Sequence, residues 1–264
     1  MKDKYLSLVV VGVKDRLYYP GRLLAHVVVL IIRVGILLAL YSYAFDYLGG
    51  NVGGIDVKIA SWSMAAYFIV LSLNVRRVFQ ALNDDVVSGH IEVMVNKPFS
   101  YLLYRVALQF GYGVPDSIIA LGAMLPFLYF FVGVPATDMS LGWAVRVFML
   151  LGGGIALACG IYTLIGLAAF WIDNASPLYW IFDKSIMVLG GSYIPVALFP
   201  HGVRALAEYS PFGASMFVTH IFNPEFSHAW LRLLLVQVTW CIVFLALTAW
   251  VYRQARQKLS VHGG

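Results

Sequence analysis

The chain has 264 residues, of which 61% are hydrophobic and 12% are charged, and its mean hydropathy is +0.82. A soluble domain carries about 25% charged residues, so this composition excludes an ordinary soluble domain and indicates an integral membrane protein. The formal net charge of +5 is interpreted through membrane topology, and no nucleic-acid partner is expected from it.

The first predicted element is an amphipathic interfacial helix at residues 4–18. Leu6, Val9, Val13 and Leu17 give it one apolar side, while lysines and polar residues lie on the other. After it, hydropathy predicts six membrane-spanning helices, each long enough for the about 20 residues that a bilayer crossing requires. The predicted spans are Leu23–Leu48, Ile59–Phe79, Tyr104–Val132, Leu141–Ile172, Leu178–Leu198 and Ala229–Arg253.

The positions of the basic residues predict the orientation of these spans. Most of the 18 Lys and Arg residues fall on one side of the membrane if the N-terminus is cytoplasmic. We therefore expect an all-α integral membrane protein, one transmembrane domain over residues 1–264, with both termini in the cytoplasm. This topology also places the polar interval 83–102, between spans two and three, in the cytoplasm.

The interval 83–102 is the longest polar stretch between two apolar blocks. Within it, Ile91, Met94 and Val95 are spaced as one face of a short helix, and Pro98 forbids its continuation. A helix of about two turns is marginal in water and needs a surface to pack on. That surface is either a soluble motor protein or the lipid headgroups, and the cytoplasmic location favours the motor protein.

A second irregular stretch, residues 191–226, precedes the last span. Four prolines divide it into apolar pieces too short to cross a bilayer, which is typical of a re-entrant or interfacial segment. On the predicted topology this segment lies on the extracytoplasmic face, either as an exit gate or as an ordered surface loop. The residues expected to form such a gate are Pro195, Pro200, Pro211 and Phe212.

Two ionisable residues are singled out by their depth inside predicted spans. Arg33 is about ten residues into span one and Asp116 about a dozen into span three, so both reach a depth of about 15 to 18 Å from the cytoplasmic side. Charged groups at such depth pair or line a watery cavity, which leads to the hypothesis of an Arg33–Asp116 ion pair. The alternative is that span three begins at residues 114–116, with Asp116 at the interface.

Catalytic and metal-binding patterns are missing from the sequence. Gly152, Gly153 and Gly154 are not followed by the Lys-Ser/Thr pair of a phosphate loop, and they suggest close helix packing instead. The six histidines have no metal-ligand spacing, and Cys159 and Cys241 lie in apolar segments. We expect no enzymatic activity, cofactor or metal site in this chain.

The order of parts and three short motifs resemble the ABC-type-2 exporter permeases, the transmembrane subunits of bacterial ABC transporters. The first motif consists of Asp85, Gly89, Ile91, Glu92, Lys97 and Pro98. The second consists of Gly191, Pro195, Pro200, Ser210, Pro211 and Phe212, and the third is the basic tail closing on Gly263-Gly264. The resemblance covers nearly the whole chain.

The resemblance implies a permease in a bacterial cell membrane that exports an unidentified amphipathic or hydrophobic substrate. ATP and Mg would bind a separate ABC ATPase subunit, and a second permease chain would complete a homodimer or a heterodimer. The ATPase would dock on the cytoplasmic segment, which acts as a coupling helix, and on the N-terminal helix. The docking residues expected on this basis are Asp85, Ser88, Gly89, Ile91, Glu92, Met94, Val95 and Lys97.

The alternative function is a secondary transporter driven by an ion gradient. Such proteins place several ionisable residues near the bilayer midplane and often contain inverted repeats. Here Arg33 and Asp116 are the only strong candidates, and the sequence has no internal repeat. The sequence therefore favours the exporter permease.

Overall fold

The computed structural model describes residues 2–52, 54–172 and 174–262, and its main feature is a bundle of long helices. The elements are α1 (Lys2–Tyr18), α2 (Pro20–Tyr47), β1 (Asn51–Val52), β2 (Ile55–Asp56), α3 (Val57–Ser72), α4 (Arg77–Val87), α5 (His90–Val95), α6 (Tyr101–Phe131), α7 (Leu141–Leu167), α8 (Ser176–Leu189), α9 (His201–Tyr209), α10 (Pro211–Ala214) and α11 (Phe226–His262). Strands β1 and β2 form an antiparallel hairpin. The closing Gly263-Gly264 motif lies outside the described residues.

Within the described ranges, five helical stretches are long and apolar enough to cross a membrane. They are Pro20–Tyr47, Val57–Val87, Tyr101–Phe131, Leu141–Phe170 and Phe226–Gln257. Each has at least 28 residues, a rise of about 42 Å, whereas the hydrocarbon core of a bilayer is about 30 Å thick. The chain is therefore a mainly helical protein whose long apolar helices suit a multi-pass membrane protein.

The predicted span Leu178–Leu198 is wrong in its extent. Helix α8 ends at Leu189 after 14 residues, a rise of about 21 Å, which is less than the thickness of the hydrocarbon core. The backbone N–H groups of Gly191 and Ser192 donate to carbonyl oxygens inside the last turn of α8 and close the helix there. Hydropathy continues across this turn, so the sequence pattern did not reveal it.

The bundle has two distinct ends. At the hairpin end, next to β1 and β2, the indole of Trp62 donates to the Gly133 carbonyl at 2.8 Å and the indole of Trp143 donates to the Ile221 carbonyl at 2.9 Å. At the α5 end, a separate buried cluster holds α5 against the other helices. This α5-end cluster consists of Val78, Leu82, Ile91, Met94 and Tyr101, with Phe170 and Tyr252 packed against it.

Across the described ranges, the chain passes between these two ends six times. The five long stretches account for five passages. The sixth is the segment from 174 to 225, because it follows Phe170 at the α5 end and reaches Ile221 at the hairpin end. In this passage α8 covers the part nearer the α5 end, and the short helices after it complete the distance.

A break between α3 and α4 interrupts the second predicted span. Asn74 adopts a left-handed backbone with φ 55°, and the Gln109 side chain donates to the carbonyl oxygens of Leu73 and Asn74 at 3.4 and 3.1 Å. Gly113 allows α6 to approach this break, since a Cβ at Gly113 would lie 2.0 Å from the Leu73 oxygen. The Gln109 side chain of α6 thus supplies hydrogen bonds to the backbone carbonyl oxygens at the break.

Helix α1 packs along the first half of α6, where the sequence predicted a separate interfacial helix. The hydroxyl of Tyr5 accepts a hydrogen bond from the Ser100 N–H at 3.0 Å. Farther along, Gly12 meets Gly111, and a Cβ on Gly111 would lie 2.4 Å from the Val9 oxygen. Close backbone contact of this kind is typical of helix pairs inside membranes.

The predicted apolar side of α1 is divided between two environments. Val9 and Val13 are half-buried, whereas Leu6 and Leu17 are 64% and 51% exposed. The exposed leucines form a strip that suits contact with lipid at the membrane interface.

Replacing Gly113 by alanine is expected to destabilise the bundle by about 1 to 3 kcal/mol, because the added Cβ collides with the backbone of the α3–α4 break. The matched control is Gly122→Ala in the same helix, since no atom lies within 4 Å of a Cβ at Gly122. Alanine there is expected to leave stability unchanged or to raise it slightly. Thermal unfolding in detergent measures both, and equal melting temperatures would contradict the packing described here.

Candidate functional site

The cytoplasmic segment predicted at 83–102 consists of the end of α4, a turn and α5. Helix α4 continues to Val87 because Leu82 packs on α7, where a Cβ at Gly166 would lie 2.7 Å from the Leu82 Cβ. Gly89 then makes the turn with φ +74°, a conformation that an L side chain rarely adopts. Helix α5 follows with six residues and ends before Pro98, as the sequence predicted.

The apolar face of α5 is turned into the protein. Ile91 is 1% exposed and Met94 is 4% exposed, and both belong to the α5-end cluster, while Val95 is half-buried beside it. Ile91 and Met94 therefore do not lie on a surface that a partner could contact, and the docking role of the segment stays a prediction. An apolar helical face packs equally well on a partner or on its own chain, and here it packs on its own chain.

The opposite side of the segment is open to a partner. We call it the α5 outer surface, and it consists of Val87, Ser88, Gly89, His90, Glu92, Val93, Asn96 and Lys97, all of which are exposed. Val87 and Val93 are 63% and 59% exposed and add apolar area to an otherwise polar surface. Of the predicted docking residues, Ser88, Gly89, Glu92 and Lys97 lie on this surface.

Asp85 braces the segment from inside instead of contacting a partner. Its carboxylate accepts hydrogen bonds from the Tyr101 hydroxyl and from the Arg105 guanidinium, whose Nε lies 2.7 Å away. Asp85 is 6% exposed, so this pair is shielded from water. The contact ties the end of α4 to the start of α6 through charge-assisted hydrogen bonds.

The hypothesis of an Arg33–Asp116 ion pair is wrong. Asp116 accepts hydrogen bonds from Arg16 of α1, at 2.7 Å from Nε and 2.9 Å from the terminal nitrogen. Residues 114–116 do not start a helix either, because α6 begins at Tyr101 and runs unbroken past Pro115. Arg33 lies instead over the ring of Phe68, with its Cζ 5.5 Å from the ring centroid.

Arg33 lines a cavity of about 270 Å³ between α2 and the α3–α4 break. Its other charged or titratable lining residues are His26, Arg76 and Arg77, and no carboxylate of the described residues lines it. We call it the arginine cavity. His26 contacts the Ser72 hydroxyl at 3.0 Å, and Arg76 donates to the Asn74 side chain at 3.0 Å.

A second cavity of about 360 Å³ lies beside the arginine cavity. It shares Arg76 and Arg77 and adds Asp183 and Lys184 of α8. The Asp183 carboxylate accepts a hydrogen bond from Tyr162 at 2.9 Å and lies 3.4 Å from the Lys184 ammonium. The sequence assigned no role to Asp183, yet it is buried.

Of the four predicted gate residues, the three prolines mark the beginnings of short helical pieces. Pro195 precedes a 3-10 turn, Pro200 precedes α9, and Pro211 begins α10. Phe212 packs edge-on against Phe182 of α8, with ring centroids 5.3 Å apart. The prolines therefore set the points where the chain changes direction in the sixth passage.

This segment is fastened to α11 at the hairpin end. Glu208 accepts hydrogen bonds from Arg204 and from Arg232, each at 2.8 Å, and the Trp240 indole donates to the Tyr209 carbonyl at 2.8 Å. Burial disfavours the charged form of Glu208, but the hydrogen bond from Arg204 and the charges of the two arginines outweigh it, so the pKa of Glu208 is lowered. The ion pairs hold α9 in place.

The sequence did not reveal the partners of Asp85 and Asp116, which are Arg16, Tyr101 and Arg105. Tyr101 and Arg105 are four residues apart, a spacing that places both on one face of α6 and could have marked them as a pair directed at Asp85. Arg16 had no comparable signal, since it lies 100 residues from Asp116.

No known protein-family model matches the chain, and no curated protein matches it. Any assignment of function therefore depends on the residues and geometry described above.

Replacing Asp85 by asparagine is expected to destabilise the α5 end by about 3 kcal/mol, because it leaves the partly buried Arg105 without its counter-charge. The measurement is hydrogen exchange at α5 together with the melting temperature. Asp84→Asn is the matched control, since Asp84 is exposed one position earlier in the same helix. If the two variants exchange at the same rate, Asp85 does not brace the segment.

Proposed function

We propose that the chain is the membrane-spanning permease subunit of an ATP-driven ABC exporter and that a separate ATPase subunit supplies the energy. The observation that carries the proposal is the construction of the α4–α5 segment. Its apolar face and Asp85 are buried against α6, α7 and α11, while its outer surface is free to receive a partner. The sequence itself contains no phosphate loop for ATP.

This construction suits the transmission of force. A partner that pushes on the α5 outer surface would move Ile91 and Met94 against Phe170 and Tyr252, which lie near the ends of the α7 and α11 stretches. The Asp85–Arg105 contact would carry the same displacement into α6. Packed interiors move as bodies rather than deform, so a shift at α5 would tilt whole helices.

The proposed topology has six membrane crossings with both termini in the cytoplasm of a bacterial cell. It is supported by the six passages between the two ends of the bundle and by the excess of Lys and Arg near the α5 end. The α5 outer surface would then face the cytoplasm, and the segment 191–226 would complete the sixth crossing and reach the extracytoplasmic side near Ile221. A second permease chain, the same or different, would complete the export path.

The secondary transporter is the weaker candidate because the buried carboxylates are already engaged. Asp85 is paired with Arg105, Asp116 with Arg16, and Asp183 with Tyr162 and Lys184. A carrier driven by an ion gradient needs a carboxylate in the membrane that can bind and release the ion. The buried aspartates of the described spans are instead held by basic or phenolic side chains.

The test of the proposed function is co-purification of an ATP-hydrolysing protein with the chain from its native membrane. The variant Val87→Asp/Val93→Asp is expected to weaken this association at least about tenfold, because it places charge where apolar side chains would be buried. Val134→Asp is the matched control, since Val134 is 50% exposed in the loop after α6 at the hairpin end.

The same experiment separates docking from folding. Ile91→Asp and Met94→Asp introduce charge into the α5-end cluster and are expected to remove the folded protein from the membrane fraction. The variants at Val87 and Val93 should leave its amount and melting temperature unchanged. Transport that continues with no ATPase bound would refute the exporter and favour the secondary carrier.

A further inference from the structure

The arginine cavity concentrates positive charge, and no carboxylate of the described residues belongs to its lining. Arg33, Arg76 and Arg77 line it, and in the described part of the chain none of the three lies within 4.0 Å of a carboxylate. Asp183 lines the second cavity together with Arg76 and Arg77, but it already accepts a hydrogen bond from Tyr162. Asp116, the carboxylate on neighbouring α6, already binds Arg16 through both of its oxygens. A cluster of guanidinium groups that make no ion pair is costly beside membrane helices unless an anion joins it.

The depth of Arg33 strengthens this requirement. Arg33 lies 13 residues after the start of α2 at Pro20, which corresponds to a rise of about 20 Å. At this depth its side chain contacts the Phe68 ring but makes no ion pair with a described residue. Such a residue is placed to bind a ligand that enters between the helices.

The chemistry of the lining selects phosphate among anions. The planar fork of an arginine binds two oxygens of one phosphate at the same time, and several arginines can share its remaining oxygens. The donors must be these side chains, because the first three N–H groups of α4 already donate to carbonyl oxygens three residues earlier. Basic cavities between membrane helices on the cytoplasmic side characteristically bind phosphorylated lipid headgroups.

The rim of the cavity continues into an apolar surface. Val29 lines the cavity and is also 56% exposed, and Ile32 and Ile36, farther along α2, are 56% and 65% exposed. A hydrocarbon chain attached to a phosphate in the cavity could lie along this strip of α2. The juxtaposition of a cationic cavity and an apolar strip matches an amphiphile with a phosphate headgroup.

We propose that the arginine cavity, formed by His26, Arg33, Arg76 and Arg77 between α2 and the α3–α4 break, binds the phosphate group of an anionic amphiphile. The inference rests on the membrane topology of the proposed function, but it does not depend on a motor subunit. It assigns a role to Arg33 in place of the pair with Asp116.

The test is native mass spectrometry of the full chain in detergent, titrated with phosphatidylglycerol, phosphatidylcholine or inorganic phosphate. The wild-type chain should bind phosphatidylglycerol more tightly than the zwitterionic phosphatidylcholine. Each arginine near an anionic lipid contributes about 1 kcal/mol to binding. Arg33→Gln/Arg77→Gln should therefore weaken phosphatidylglycerol binding by about 2 kcal/mol, which is about 30-fold. Both arginines are exposed and unpaired among the described residues, so folding should be retained.

The matched control is Arg253→Gln/Arg256→Gln, which removes the same charge from exposed positions of α11 near the α5 end. Phosphatidylglycerol binding that falls only in the cavity variant supports the proposal with a lipid as ligand. Equal binding of inorganic phosphate, with the same dependence on Arg33 and Arg77, supports the anion site but assigns it to free phosphate.

Two results would overturn the proposal. One is an equal loss in both double variants, which would mean that lipid binding follows net charge and not the cavity. The other is a wild-type chain that binds neither phosphatidylglycerol nor inorganic phosphate. A changed oligomeric state of the cavity variant would then mean that a carboxylate of a second chain fills the cavity. Equal melting temperatures of all variants exclude misfolding as the cause, and Arg33→Lys/Arg77→Lys, which keeps the charge, should retain more binding than the glutamine variant.

Discussion

The buried contact between Asp85 and Arg105 determines how the α5 end of this protein can behave. A helix of six residues has too few internal hydrogen bonds to be stable alone, so α5 exists only because the chain around it holds it. The α5-end cluster supplies the apolar part of that support, and Asp85 supplies a directional part that fixes the end of α4 on α6. Because a buried carboxylate without its partner is strongly unfavourable, the segment keeps one position relative to α6.

The break between α3 and α4 is the second constraint, and it creates the arginine cavity. A continuous helix through residues 73–76 would direct Arg76 and Arg77 elsewhere around its axis. The left-handed Asn74 turns the chain, Gln109 satisfies the carbonyl oxygens that the turn frees, and Gly113 lets α6 approach. The interruption of the helix thereby lets basic side chains of α2 and of the start of α4 line one cavity.

Hydropathy was sufficient to predict the long helices, because an apolar stretch long enough to cross a bilayer rarely fits a soluble fold. It failed at α8, where the apolar run extends past the turn after Leu189. The spacing of Ile91 and Met94 correctly predicted one apolar helical face but could not tell whether that face meets a partner or its own protein. Both environments exclude water, and both select the same residues.

The partners in the ion pairs could not be predicted from the sequence, for a geometric reason. A pair between Arg33 and Asp116 was expected from their similar depth, with α1 as a separate interfacial helix. Once α1 packs along α6, Arg16 reaches Asp116 first, and Arg33 is left facing the break. Helix packing therefore decides whether Arg16 or Arg33 pairs with Asp116. The close contact of Gly12 with Gly111 allows α1 to pack on α6. Glycine has no side chain, so this contact gives no hydropathy signal.

Helix α4 connects the two proposed sites. The arginine cavity lies at its start and the α5 outer surface follows its end, about 16 Å apart for its 11 residues. A rigid helix cannot move at one end alone, so an anion that binds Arg76 and Arg77 better in one position of α4 would favour that position at α5. By thermodynamic linkage, an ATPase that prefers the same position must then raise the affinity of the cavity for the anion by the same factor. The coupling between ligand and motor would thus require no element other than α4 and the contacts that hold it.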